Sequence, residues 1–224
     1  MNNVEFKKLR NTIRSELHGM AKLDKRYYVV LKGFDLAEQY HNGKRKDGQP
    51  EFSHQLMIVG YLLTILDSLE NAPMVILAAL WHDLYEDYHD KCDKLIGLMK
   101  AISEEGFIYA VRLSKIRDGV KIPYEQYFKE LAECIVCSIV KLVDRASNIS
   151  TMNGVFDFEK QDGYLLDFID WFFPMLKKAK RLFPEQKSAY ENLKSVLTIQ
   201  RDTIVRVRKE VAEKFNLELN QLYA

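Results

Sequence analysis

Two segments of this chain are apolar on nearly every side, and each runs directly into residues of metal-ligand type. Met74-Val75-Ile76-Leu77-Ala78-Ala79-Leu80-Trp81 leads into His82-Asp83-Leu84-Tyr85-Glu86-Asp87. Cys134-Ile135-Val136-Cys137-Ser138-Ile139-Val140 leads through Lys141-Leu142-Val143 into Asp144. A helix that is apolar all round has no face to offer water, so it belongs in the middle of a fold. Two such helices define a core, and the remaining elements must cover them.

The remaining sequence is suited to that task. Its apolar residues recur at helical rather than alternating spacing, and only five prolines and ten glycines interrupt the pattern. The fold class is therefore all-α. Helices are expected over about Val4–Met20, Lys25–Tyr40, Ser53–Leu69, Met74–Trp81, Lys94–Ile102 and Phe107–Lys115. One further helix runs from Pro123, a good first-turn residue, to about Ile149. Two amphipathic helices, Tyr164–Leu182 and Pro184–Phe215, close the chain. In the second helix Tyr28, Leu31, Phe34, Leu36 and Ala37 form the expected buried face, and His41-Asn42-Gly43 stops it. Lys44–Pro50 and Asn153–Gly163 are expected loops. No repeat, low-complexity stretch or linker divides the 224 residues, which read as one domain over 1–224 with helices 164–215 packed on the rest. A chain of this size buries about 70% of its unfolded surface without staples.

Composition excludes several classes. A net charge of +1 argues against the broad basic footprint of a nucleic-acid binder, while leaving room for a local basic pocket. The three cysteines do not make a disulfide framework. Cys134 and Cys137 form a C-x-x-C inside an apolar run and read as buried thiols that behave as small apolar side chains. The first residues lack a signal peptide, and no apolar run approaches the ~20 residues needed to span a bilayer. The expected location is cytoplasmic, with no membrane partner.

The polar ends of the two central helices carry the chemistry. A buried carboxylate is costly unless it is paired or coordinates a cation. Taken singly, His54 reads as an ordinary helix-start residue and Asp144 beside Arg145 as a surface ion pair. Together, His54, His82, Asp83 and Asp144 lie at the edges of helices that must pack, and they read as the ligands of one divalent ion. Mixed nitrogen and oxygen donors leave the metal open. The lack of cysteine favours an open site that retains water over a closed structural zinc site. Such an ion polarises a phosphoryl oxygen and lowers the pKa of bound water.

On a helix continuing from the histidine–aspartate pair, Glu86 lies one turn beyond His82 and Asp87 one turn beyond Asp83. These carboxylates suit orientation of a water and relay of its protons; the plainer reading is a solvated helix end beside Asp90. Lys44-Arg45-Lys46 is an ordinary basic turn by composition. Beside a metal site it could hold phosphates, with Arg45 stacking on a nucleobase. Asn148, one turn after Asp144, suits a ribose or phosphate contact. His18, His41 and His89 read as surface or capping residues.

Three stretches make these features more specific: Arg45-Lys46-Asp47-Gly48-Gln49-Pro50-Glu51-Phe52-Ser53-His54, Ala78-Ala79-Leu80-Trp81-His82-Asp83-Leu84-Tyr85-Glu86-Asp87, and Lys141-Leu142-Val143-Asp144-Arg145-Ala146-Ser147-Asn148. They resemble the hydrolase (HD-type) domain of the RelA/SpoT homologues, the alarmone enzymes of the stringent response, over a motif core from about 36 to 151. The resemblance implies an HD-type helical bundle of about ten helices. It also implies manganese held by His54, His82, Asp83 and Asp144, with Glu86 and Asp87 as the catalytic pair that positions and activates water. The guanine pocket it implies involves Arg45 and its neighbour Lys46, with Asn148 and Thr151 around the nucleoside. The implied reaction releases pyrophosphate from the 3′ position of a guanosine 3′,5′-bis(diphosphate)-type alarmone, leaving GDP or GTP.

Leu84-Tyr85 stands where smaller valines are expected, which places Tyr85 in the pocket wall. No synthetase segment is recognisable after the hydrolase region, so the expectation is a stand-alone small alarmone hydrolase that does not make alarmones. The protein partners left open are a second copy of the chain and a cognate small alarmone synthetase. Other readings of the same residues are an HD phosphohydrolase for a different nucleotide, adenosine alarmones included, and a non-catalytic alarmone-binding or toxin-neutralising protein.

Overall fold

The computed structural model describes residues 2–88, 93–152 and 155–215. The chain is 80% helical. In order, the helices are α1 (Asn3–Leu23), α2 (Tyr27–Tyr40), α3 (Ser53–Thr64), α4 (Ala72–Trp81), α5 (Leu84–Tyr88), α6 (Asp93–Ile102), α7 (Glu104–Leu113), α8 (Tyr124–Ala132), α9 (Ile135–Thr151), α10 (Phe158–Asp167), α11 (Phe173–Leu182) and α12 (Lys187–Phe215). A π-helical turn at Phe168–Phe172 joins α10 and α11 into one rod, and α5 is little more than a single turn. The all-α bundle of about ten helices is therefore present. A hairpin of two short strands, β1 (Ile116–Arg117) and β2 (Val120–Lys121), sits between α7 and α8.

α4 is the centre, as its composition requires. Every residue from Pro73 to Trp81 is buried, and the helix touches α2, α3, α7 and α9. Glycines permit two of these approaches. A Cβ at Gly33 of α2 would collide with Leu77 Cδ1. A Cβ at Gly106 of α7 would lie 2.6 Å from Leu77 Cδ2 and 3.0 Å from the Trp81 ring. Trp81 Nε1 donates to the Gly33 carbonyl oxygen at 3.0 Å, which satisfies the indole inside the core. α9 is the second central helix; it packs on α3, α4, α7 and α8, and α11 and α12 cover its outer side. Among the described residues no helix is long and apolar enough to cross a membrane.

Several boundaries differ from the sequence expectation. The helix expected from Pro123 to Ile149 is broken: α8 ends at Ala132, and Cys134 is extended (φ −127°, ψ 115°) and caps α9. Neither proline nor glycine marks that break, and the apolar pattern continues through it. The Asn153–Gly163 loop is shorter than expected, because Asp157 caps α10 by accepting from the Lys160 amide at 2.8 Å. The Ser53–Leu69 helix ends at Thr64, followed by a 3₁₀ turn at Leu66–Ser68. Tyr28, expected in the core, is 50% exposed. The hairpin was not expected, although Asp118-Gly119 supplies the two positive φ angles (50° and 76°) of a tight strand-reversing turn. Cys134 and Cys137 are free and buried, as read from the sequence; Cys92 and His89 lie outside the described residues.

Candidate metal centre

Three helices deliver the site. His54 is the second residue of α3, His82 follows the last residue of α4, and Asp144 lies in the middle of α9. All three side chains are buried, and one ligand atom from each lies within 4.8 Å of the others, so the group could hold a divalent ion. His54 Nε2 is 3.1 Å from Asp144 Oδ1, and His82 Nε2 is 3.7 Å from the same oxygen.

The outer contact of His82 sets its tautomer. His82 Nδ1 lies 2.7 Å from the Ala79 carbonyl oxygen, which only accepts, so Nδ1 carries the proton and donates it. His54 Nδ1 is 3.2 Å from Ser147 Oγ. Both Nε2 atoms therefore face the carboxylates. His82 Nε2 is buried and makes no hydrogen bond, although Asp83 Oδ2 is only 2.9 Å away. A buried nitrogen aimed at carboxylates without a hydrogen bond is the arrangement a cation completes. Asp83 stands at the edge: it reaches His82, but it is outside the close three-residue group.

Electrostatics of the metal-free site follow from that crowding. Burial lowers the His54 pKa and keeps that imidazole neutral. Burial opposes charge on His82 as well, but the adjacent Asp83 and Asp144 carboxylates outweigh it and raise its pKa to about 9. Against the effect of burial, the cations beside them hold both aspartates below the usual carboxylate range; for Asp144 the largest such influence is Lys141. Lys141 Nζ is 2.9 Å from Asp144 Oδ2, on the preceding turn of α9. Asn148 Nδ2 donates to Asp144 Oδ1 at 2.6 Å.

His54, Asp83 and Asp144 open into a cavity of about 210 Å³. Four cations line it: Arg45 from the loop after α2, Lys115 beside β1, and Lys141 and Arg145 from α9. Glu86, Asn148 and Tyr164 also contribute to the wall. Arg145 is stacked between Tyr164 and Phe172 at 4.1 and 4.2 Å and donates from Nη2 to Asp167 at 2.7 Å. Its Nη1 is buried without a hydrogen-bond partner.

Glu86 and Asp87 sit on α5. The helix does not continue from α4 as expected, because the chain turns at His82–Asp83. The amide of Asp87 still donates to the Asp83 carbonyl oxygen at 2.9 Å, which preserves the one-turn relation. Glu86 Oε2 accepts from the Lys115 amide at 2.6 Å. Asp87 is exposed and is not among the residues that line the cavity; loss of hydration among its neighbours and the Asp83 charge raise its carboxyl to about 6.

The other sequence candidates divide. Arg45 and Asn148 line the cavity, with the Asn148 amide engaged by Asp144. Lys46 is exposed on the loop and is not among the lining residues. Thr151 is also absent from the wall; its hydroxyl returns to the Ser147 and Asn148 carbonyl oxygens. Tyr85, expected in the pocket wall, is not among the lining residues; it is buried, with its hydroxyl 3.3 Å from Asp118 Oδ1 in the hairpin turn. His41, read as a surface or capping residue, caps the C-terminus of α2 and is buried at 2% exposure between Glu51 and the Tyr88 ring.

Sequence reasoning assigned no role to Lys115, Lys141, Arg145, Ser147 or Tyr164. Lys141 carried a readable signal, a lysine inside an apolar run three residues before a candidate ligand. Lys115 and Tyr164 carried none, since tertiary packing alone brings them to the cavity. No protein-family model matches the chain, and no curated protein matches it.

Proposed function

We propose that this protein is a metal-dependent phosphohydrolase that removes pyrophosphate from the 3′ position of guanosine tetraphosphate or pentaphosphate, with manganese as its ion. The observation that carries this reading is the juxtaposition of His54, His82 and Asp144 with a cavity lined by four cations. A lone divalent site could be structural, but a buried arginine with an unsatisfied Nη1 and three further cations beside it fit a polyanionic substrate. A bound divalent ion supplies Lewis acidity toward a phosphoryl oxygen.

The chain's own groups supply the rest. Arg45, Lys115 and Arg145 hold phosphate oxygens and oppose the charge that develops on them. Glu86, fixed through one oxygen by the Lys115 amide, has its other oxygen to orient a water. Asp87, with its carboxyl near 6, is placed to take up and release a proton close to neutral pH. Tyr164 and the guanidinium of Arg45 offer planar surfaces for a base. The resemblance of the three sequence stretches to RelA/SpoT hydrolase domains supports the 3′-pyrophosphate as the bond cleaved.

The test is incubation with guanosine tetraphosphate and manganese, with products separated by ion exchange. GDP and pyrophosphate are expected, both dependent on the metal. Parallel reactions with adenosine tetraphosphate, GTP and deoxynucleoside triphosphates check the substrate. Turnover of one of these alone would move the assignment to another nucleotide, and binding of all without turnover would make the protein a sensor.

A further inference from the structure

The Cys134–Cys137 pair lies outside the metal centre, at the opposite end of α9 from the site residues that follow Asp144. Two observations, the N-cap geometry and the unequal exposure, set it apart from two thiols that merely fill space. Cys134 is the N-cap of α9, with extended backbone, and its Sγ accepts from the Cys137 amide at 3.4 Å. Cys137 Sγ lies 3.8 Å from the Tyr109 carbonyl oxygen of α7, to which it donates. The positive charge of Arg112 in α7 favours a thiolate at Cys134. Exposure is unequal: Cys134 retains 5% and Cys137 none.

We infer that Cys134 and Cys137 form a redox-active dithiol, in which Cys134 is the attacking thiolate and Cys137 the resolving thiol, and which a hydroperoxide closes to a disulfide.

A helix N-terminus stabilises negative charge through its unpaired amides and dipole, and a neighbouring guanidinium adds to this. These are the surroundings that convert a thiol into a nucleophile. The side chain and the amide of Cys137, with Arg112 after them, outweigh burial and hold Cys134 at about 6, whereas burial pushes Cys137 well above its ordinary value. The division of roles follows from that difference and from the exposure. The Cys134 thiolate attacks one oxygen of hydrogen peroxide; the O–O bond breaks, hydroxide leaves and Cys134 becomes a sulfenic acid. Cys137 then gives up its proton and attacks the Cys134 sulfur, and the S–OH bond breaks to release water. The sum is two thiols and one hydrogen peroxide giving one disulfide and two waters. Cys134 Sγ already lies 3.4 Å from the Cys137 backbone nitrogen, so closure needs rotation of the Cys137 side chain toward it.

The experiment uses the full chain with Cys92→Ser, so that only this pair remains. Protein is treated with hydrogen peroxide, denatured, alkylated with a maleimide and weighed. The expected result is loss of two hydrogens with no maleimide added, and full reversal by dithiothreitol. Cys137→Ser should stop at a sulfenic acid that a carbon nucleophile traps, and Arg112→Gln should slow the first step by about tenfold. Alkylation of the native protein should reach half its maximal rate near pH 6. Asp144→Asn should leave the reaction unchanged, which separates this inference from the metal-centre reading. Two maleimides on the peroxide-treated protein, at peroxide exposures that oxidise an ordinary low-pKa thiol, would overturn it.

Discussion

The Nδ1–H of His82 donates to the carbonyl oxygen of Ala79 at 2.7 Å, closing a bond within the last turn of the central helix. This contact aims Nε2 into the site without any other side chain. His54 has a separate device, the Ser147 hydroxyl 3.2 Å from its Nδ1. Groups that hold a ligand's far nitrogen typically contribute about 10- to 100-fold in metal affinity or activity. Ser147→Ala should therefore weaken manganese binding by about tenfold in a calorimetric titration. His82→Ala and Asp144→Ala should abolish it. Undiminished binding in both of the latter would remove the metal site altogether.

Manganese affinity should rise with pH. In the metal-free protein the His82 proton, held to about 9, must leave before Nε2 can bind a cation. Between pH 6 and 8 the apparent affinity should climb toward tenfold per unit. Chelated protein should behave in the opposite sense. A histidine whose folded pKa lies above its unfolded value of about 6.5 stabilises the fold fully below 6.5 and loses that contribution as pH rises through 9. Thermal melts of chelated protein at pH 6.5, 8 and 9.5 should show falling midpoints, and manganese should flatten the trend.

Lys141 and Asp144 test whether the buried cation matters when no metal is present. Removing one member of a buried pair typically costs about 3–5 kcal/mol, because the other charge is stranded. Lys141→Met should destabilise the chelated protein by that order in denaturant titrations. Manganese should recover part of the loss by compensating Asp144. Equal losses with and without metal would mean that the lysine acts through packing.

Glu86 and Asp87 separate turnover from binding. Glu86→Gln and Asp87→Asn keep shape and remove charge, and each should lower turnover by about a hundred- to ten-thousand-fold. Metal content and melting temperature should change little. Asp144→Asn should lose both metal and activity. A full rate in both of the first two variants would exclude their part in handling water. Metal loss in either as complete as in Asp144→Asn would make that residue a ligand.

Gly33→Ala checks the packing at the centre. The added methyl meets Leu77, which Gly106 already confines from the other side. Overpacking of this kind costs about 1–3 kcal/mol. A lowered midpoint in urea is expected, and Leu77→Ala in the same chain should relieve much of it.

What was legible in the sequence was whatever one helix carries by itself. The apolar run before His82 placed α4 at the centre, and the ligand residue types at helix ends marked the site. Asp144, three residues beyond a lysine in an apolar run, was legible as a residue needing compensation. The break at Glu133–Cys134 was not, because capping geometry rather than proline or glycine makes it. Arg145 was misleading as a neighbour of Asp144: successive helix residues point apart, and its guanidinium is sandwiched by Tyr164 and Phe172 from the rod formed by α10, the π turn and α11. His41 read as a helix stop, and only the fold shows that Tyr88 covers it.

The contact between Glu86 and the hairpin has a consequence for how freely this chain can vary. Glu86 is held by the amide of residue 115, not by its side chain. Every amino acid but proline supplies that donor. The turn beyond it needs a positive φ only at Asp118 and Gly119. Natural variants can therefore rewrite the largely exposed hairpin along 116–121 while the grip on Glu86 passes unaltered from one sequence to the next.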